Sequence, residues 1–532
     1  MRIKRLSLLV LAVFICSLLT GCISPNSGLP ITPLEPQSTL PPAEVNHVAP
    51  IGDAALEYTQ KAILYLPSHD GISLSAIETD VSFSPVRPQA ESLVRALLVH
   101  PSGKEAAALG GDVRLSLYGT SPVEVSRDTA TVNLSASALQ LSRQALYIAC
   151  QAITNTLTQL PEISYVNFLV VDKPVGIDVA GTLPMGALKA NTASDLGAVY
   201  EQLFSRRVGT AESAENKPFS ANVTLYFPLN AADGMVSEVR SMSFENQVLA
   251  DMVTSILRAL AAGPEDESIL SPALPLLADL LTSAPALLSS EETGSNVIHL
   301  DFAHNLEDML EAYGISQQQS IASLCYTLAT FFPNVSGVQI TINGAAPALT
   351  EILEEKPEAT AEETEGDDGE TKTPAAKPVF ERAAFSPLLY DYCTLYFAKD
   401  GQNSPVAVQR PVHYYQAHHP RKLLSELSRG PQSCDSEPDL LPIMDPSVSI
   451  TDTMMLGFAL SESTLLVNLA PGFSDAAKHL TTQEERLLAY GMVNTLCMNE
   501  RIKSVCFFRS GSQFDGFGGE IYWGGLFYPL PY

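Results

Sequence analysis

Residues with the means to do chemistry are few in this chain, and their spacing suits chemistry poorly. His413, His418 and His419 cluster just before Pro420. Two imidazoles joined by a carboxylate could bind a metal, but no HExxH spacing accompanies them. With Pro420 next in line, polar residues at a helix start are the plainer reading. His69-Asp70-Gly71 reads as a turn between strands. The chain has eight cysteines. None forms a CxxC pair, which speaks against a zinc ribbon or a redox couple. Cys150 and Cys325 lie in apolar helical stretches, where a free thiol acts as a small hydrophobe. Cys393, Cys434, Cys497 and Cys506 allow three pairings, and export would permit a disulfide among them. The run from Gly511 to Gly519 lacks the Gly-Lys-Ser/Thr ending of a phosphate loop, and no helix follows it, so a glycine-built hairpin is expected. No Ser-His-Asp set, paired-carboxylate motif or Walker sequence stands out. The sequence therefore assigns no catalytic residue, no metal and no cofactor, and the protein is read as not an enzyme.

One cysteine has chemistry of another kind. Arg2, Lys4 and Arg5 precede a 14-residue apolar run from Leu6 to Leu19. That run is too short for a relaxed bilayer span and right for a signal peptide. Leu19-Thr20-Gly21-Cys22 then resembles the bacterial lipobox, in which the thiol receives a diacylglycerol and the peptide bond before it is cut. Cys22 is the expected lipidation site, with palmitate-type acylation. Two acyl chains suffice for stable anchoring at the extracytoplasmic face of the cell membrane. An ordinary cleaved signal or an uncleaved anchor helix are the alternatives. Residues 22–54, rich in Pro, Ser and Thr, read as an extended tether.

Composition narrows the partners. The chain has 532 residues, 46% of them apolar, and a formal net charge of −28. Its length suggests roughly three or four domains. Such an acidic balance argues against a nucleic-acid partner, which needs clustered cations, and against a purely electrostatic hold on anionic lipid.

Internal repeats settle the organisation. Leu64-Tyr65-Leu66-Pro67, Leu225-Tyr226-Phe227-Pro228 and Leu395-Tyr396-Phe397-Ala398 recur with Tyr spacings of 161 and 170. A helix follows each, with apolar pairs Leu93/Val94 and Leu97, Ile256/Leu257 and Leu260, Leu423/Leu424 and Leu427 on one face. It closes at His100-Pro101, Gly263-Pro264 and Gly430-Pro431, where Gly supplies a left-handed cap and Pro forbids continuation. An alternating strand comes next: Val132-Asn133-Leu134, Ile298-His299-Leu300 and Val467-Asn468-Leu469. Its middle residue is expected on the solvent side. A second helix carries Thr156-Leu157, Thr327-Leu328 and Thr495-Leu496, and a closing strand runs through Val166, Val338 and Val505. Each unit thus reads strand, helix, strands, helix, strand. The fold class is α+β: three tandem small α/β modules, each a mixed sheet with two helices on one face. The expected boundaries are 1–21 signal peptide, 22–54 tether, 55–185 first module, 186–218 linker, 219–350 second module, 351–385 acidic linker and 386–532 third module. From Glu351 to Glu370 there are ten acids and one Lys, a density that self-repels and stays extended. Each unit is large enough to bury its own core, so beads on a string are expected.

These landmarks resemble the GerM domain of sporulation and germination, most closely at residues 219–350. The resemblance implies a small module for self-association or protein contacts in the cell envelope, with no catalytic residues to transfer. His100 in the first module and Ala398 in the third depart from the pattern. The C-terminal tail, Ile521 to Pro529 with the only Trp at 523, is read as a closing strand of the third module or a docking strand for a partner. The functional expectation is a lipid-anchored, extracytoplasmic, non-enzymatic protein. Its partners are the membrane, through Cys22, and envelope proteins or a second copy. A surface binding protein for a small ligand or a cell-wall glycan, and a hydrolase with an unrecognised site, are the rivals.

Overall fold

The computed structural model describes residues 48–530 apart from 54–55, 85–86, 179, 205–217, 231, 290–295, 348–378, 445–451, 478–479, 500 and 518–520. The signal peptide, Cys22 and the acidic run over 351–378 lie outside the described residues.

In the first module β1 (Tyr58–Pro67) and β2 (Leu74–Phe83) form an antiparallel hairpin, followed by α1 (Gln89–Val99). Next come β3 (Val123–Ser126), β4 (Thr129–Leu134), α2 (Arg143–Leu157), β5 (Tyr165–Val170) and the short β6 (Lys173–Pro174). These four strands make a second sheet in the order β3-β4-β5-β6, with β4 and β5 parallel because α2 crosses between them. A further helix, α3 (Leu196–Leu203), follows.

The second module repeats the plan. β7 (Phe219–Pro228) pairs with β8 (Met235–Phe244), and α4 (Leu249–Ala261) follows. β9 (Ala286–Ser289), β10 (Asn296–Phe302), α5 (Leu306–Ala312), α6 (Gln317–Phe331), β11 (Val335–Ile342) and β12 (Val379–Glu381) complete it, with sheet order β12-β11-β10-β9. In the third module β13 (Tyr390–Lys399) pairs with β14 (Val406–His413), then come α7 (Pro420–Ser428) and β15 (Leu440–Leu441), which joins the hairpin. β16 (Met455–Ser461), β17 (Thr464–Leu469), α8 (Pro471–Ala477), α9 (Thr482–Cys497), β18 (Ser504–Arg509) and β19 (Leu526–Phe527) close the chain, ordered β16-β17-β18-β19.

The long helices α2, α6 and α9 start where side chains cap them. Ser316 with Gln319, and Thr481 with Glu484, form reciprocal capping boxes. Each helix touches both the hairpin and the four-stranded sheet of its module. In α6 the consecutive residues Leu324, Cys325, Tyr326, Thr327 and Leu328 are all buried, which spans a full turn. The three tandem α+β modules are therefore present, but the strands of each divide between two sheets. The long helix lies against both, rather than on one face of a single sheet. Sequence pattern locates strands and does not say which strands pair.

Three expectations about the connections change. Residues 186–218 are not wholly linker. Asp195 caps α3, and Tyr200 and Phe204 form a ring cluster with Tyr147 at 5.5–5.8 Å. The acidic linker does not reach 385: β12 pairs with β11, and residues 382–388 form a 3-10 turn against α6. The modules are also not beads. One apolar cluster runs from Tyr147 through Phe227 and Phe385 to Tyr414, drawing on all three.

Candidate functional site

Three arrangements recur at matching positions. In the first, the backbone N–H of the landmark tyrosine donates to the hydroxyl of the landmark threonine: Tyr65 to Thr156 at 3.0 Å, Tyr226 to Thr327 and Tyr396 to Thr495 both at 3.1 Å. These N–H groups face the long helix, away from the hairpin partner. All three threonines are fully buried, so without the hydroxyl each N–H would be orphaned in the core.

In the second, a side chain on the central strand accepts the N–H of the turn after the parallel strand. Asn133 accepts from Asp172 at 3.1 Å, Asp301 from Gly344 at 2.7 Å and Asn468 from Gly511 at 3.1 Å. Asp301, not His299, is therefore the counterpart of the two asparagines. A shift of two residues keeps every side chain on its face, so alternation alone cannot detect it. Nor are the positions solvent-side, since Asn133 and Asn468 are buried. His299 sits within 3.0 Å of the Thr341 hydroxyl.

In the third, an arginine on the second hairpin strand caps the Gly-Pro helix end. Arg240 donates to the carbonyls of Ala259 and Gly263, and Arg410 to those of Glu426 at 2.8 Å and Gly430 at 2.7 Å. Each guanidinium lies over a landmark ring, Phe227 at 5.3 Å and Phe397 at 5.2 Å. Arg410 also grips Asp435 through two 2.7 Å bonds. A cation at a helix C-terminus meets unsatisfied carbonyls and the negative end of the dipole. In the first module all three parts are replaced together. Thr79 stands at the arginine position, Leu66 at the ring and His100, at φ −64°, where Gly263 and Gly430 adopt +78° and +71°.

The modules meet at the β3–β4 turn. Ser126 Oγ donates to the Tyr390 carbonyl at 2.7 Å, while Ser237 Oγ donates to the Ser126 carbonyl at 2.6 Å. The Arg127 N–H donates to Asp391 at 3.0 Å, and its guanidinium pairs with Asp266. Beside this turn Glu124 and Arg382 form a buried ion pair, with Arg382 stacked over Tyr326 at 4.3 Å. Asn167 and Thr224 exchange buried hydrogen bonds at 2.8 and 3.1 Å. The start of the described chain reaches the last module. Gly52 bridges in parallel to Gly457 on the edge of β16, and Asp53 receives two 2.7 Å bonds from Arg421. Burial works against the Asp53 charge, but the Arg421 guanidinium more than offsets it and holds the carboxyl below its usual value. Residues 48–53 are thus a strap along module three, not free tether.

Between the first and third modules lies a cleft of about 610 Å³. Tyr58, Lys61, Arg87, Glu162, His418 and Arg501 are among the residues that line it. The His418 imidazole is 3.8 Å from the Asp391 carboxylate. Desolvation opposes its charge, but Asp391 wins and raises its pKa above the ordinary value.

The family model described as Germane, sporulation and spore germination, matches residues 63–176, 224–347 and 394–514. The chain belongs to the Germane family. Two of the solved structures it resembles are these. One is the tandem GerMN domains of the sporulation protein GerM from Bacillus subtilis, 20% identical over 54% of this chain and 92% of that one, with a TM-score of 0.20. The other is a lipoprotein candidate from Clostridium perfringens, 23% identical over 24% of this chain and 82% of that one, with a TM-score of 0.15. No curated protein matches the chain.

In these Germane modules the residues singled out for chemistry do not converge. His419 caps α7, accepting from the Arg421 N–H at 3.2 Å, as a polar residue at a helix start should. His413 is stacked on Tyr415 and its pKa is lowered by burial. Asp70 holds its turn by accepting from the N–H groups of Ile72 and Ser73 at 2.9 and 3.0 Å. The six cysteines of the modules are free thiols. Burial pushes Cys325 and Cys497 to about 12 and Cys506 to about 11, and keeps them protonated. Trp523 is fully buried and donates to Glu485 at 2.8 Å, and β19 pairs with β18, so the aromatic tail closes the third Germane module. Among the described residues no group of three or more His, Cys, Asp or Glu could hold a metal ion, and no helix is long and apolar enough to cross a membrane. Sequence reading missed Glu124, Arg127, Arg382 and the arginine caps. An arginine three residues past the strand partner of the landmark tyrosine, in two repeats of three, was the signal available.

Proposed function

We propose that this Germane protein is a lipid-anchored, extracytoplasmic association protein without catalytic activity, serving envelope assembly in sporulation or germination. Cys22 carries the anchor. The modules supply surfaces for envelope proteins or a second copy. The observation that carries this reading is how the buried charged groups are used. Glu124, Arg382, Arg410 and Asp435 are each engaged in a structural ion pair, within a module or between two. That is the expenditure of a scaffold rather than of a reaction centre.

The anchor is tested by Cys22→Ala. The variant is expected to leave the membrane fraction or to remain uncleaved, and to lose incorporation of a labelled fatty acid; unchanged acylation refutes the assignment. Association is tested by recovering partners of the tagged full-length protein from sporulating and vegetative cells. Recovery of nothing but the bait in both states overturns it.

A further inference from the structure

We infer that the outer edge of β1 at Thr59–Lys61 is a docking site for an extended acidic segment of a partner protein, which adds there as a strand. The inference rests on the association reading and names one surface and the chemistry it takes.

The backbone comes first. Tyr65 N–H donates to Thr156, and the Ile63 carbonyl accepts from Gln159 Nε2 at 2.6 Å, so both residues turn their backbone groups toward α2. Antiparallel strands alternate by two, and Lys61 and Thr59 therefore direct their N–H and C=O groups to the same outer side. Among the described residues those groups have no hydrogen-bond partner. Both residues are exposed.

The repeat shows what such an edge takes. Asn222 stands at the Lys61 position of the second module, and its carbonyl accepts the Ala187 N–H at 2.9 Å. Its side chain returns a 2.9 Å bond to the Ala187 carbonyl. Tyr390 stands at the Thr59 position of the third module, and its carbonyl accepts from Ser126 at 2.7 Å. In both cases polypeptide from outside the hairpin's own module covers the edge, from the segment after the first module at Ala187 and from the first module itself at Ser126. At Lys61 the first module's own edge borders the cleft of about 610 Å³, a volume typical of ligand clefts. The loop Gln159–Ile163 lines it, as do Leu465, Asn499 and Arg501.

Charge selects the occupant. In a chain of net charge −28, this cleft gathers Lys61, Arg87, His418 and Arg501 against Glu162 and Asp391. Lys61 is paired with Glu78 at 2.5 Å, and His418 faces Asp391. Arg87 and Arg501 have no ion pair among the described residues. Arg501 is held over the Tyr58 ring at 4.6 Å, and that ring is stacked on Phe83 at 5.3 Å. Two guanidinium forks without an ion pair among the described residues match carboxylates, and the strand edge matches an extended backbone.

Hydrogen exchange read by mass spectrometry on the full-length protein in mild detergent tests this. The probes are a synthetic peptide of alternating Glu and Val and its alternating Lys and Val counterpart. The acidic peptide is expected to slow exchange across residues 58–63 on the order of tenfold, and the basic one to leave it unchanged. Lys61→Pro removes the outward N–H together with the ammonium and is tolerated on an edge strand; it should abolish the protection, while Lys61→Met, which keeps the N–H, should retain most of it. Arg87→Glu with Arg501→Glu should do the same with the thermal transition retained, and decides the matter if the proline variant fails to fold. Protection by neither peptide, equal protection by both, or unchanged binding to the charge-reversed protein overturns the proposal. A protein that recovers envelope partners yet shows no β1 protection sinks this site alone and leaves the association reading standing.

Discussion

A hydroxyl in the right place decides a surprising amount of each module. Thr327 satisfies the Tyr226 N–H from within the core. Thr327→Val keeps the shape and removes the acceptor, so it should cost about 1–3 kcal/mol by chemical denaturation, while Thr327→Ser should recover most of it. Thr156 and Thr495 should behave alike. Titration separates two histidines. NMR should place His418 above and His413 below the ordinary value of about 6.5. A raised folded-state pKa stabilises the fold below about pH 6.5, and that contribution fades as pH rises through the folded value. His413 acts in the opposite sense, opposing the fold as acid forces a proton on it. A stability profile that His418→Gln leaves unchanged between pH 6 and 8 would contradict the first assignment.

Elements owe their ends to contacts as much as to their own sequence. Gly-Pro stops α4 and α7 locally, and that was legible because Gly and Pro act through their own backbone. The arginine that caps each of these helices comes from a strand some 20 residues earlier, through the hairpin register. Arg410→Met should cost about 3–5 kcal/mol, because it strands the buried Asp435 along with two helix-end carbonyls. Thermal denaturation of the variant checks it, and a loss under about 1 kcal/mol would show that the cap is ornamental. The landmark tyrosines and threonines were visible as repeats, yet their meeting was not, since a hydrogen bond across about 100 residues leaves no trace in local periodicity. The two-residue misregistration of His299 has the same root: a strand reports which face a residue takes and not which neighbour it meets.

At the scale of the whole molecule, the connection between Glu124 and Arg382 joins the first module to the segment that leaves the second. Arg382→Met leaves the buried Glu124 without its partner. A destabilisation of about 3–5 kcal/mol is expected, felt by both modules together in calorimetry, and Glu124→Gln in addition should restore part of it. Separate, unshifted transitions for the modules would mean that the junction does not couple them. The sequence alone determined that there are three modules, their α+β composition, the helix stops and the absence of a recognisable catalytic motif. All of these follow from short-range patterns of burial and backbone preference. Only the tertiary structure decided that the strands split into two sheets, that residues 48–53 strap onto the third module, and that the modules share one apolar cluster. Those outcomes depend on which surfaces meet, and complementary surfaces far apart in the chain carry no common signal along it.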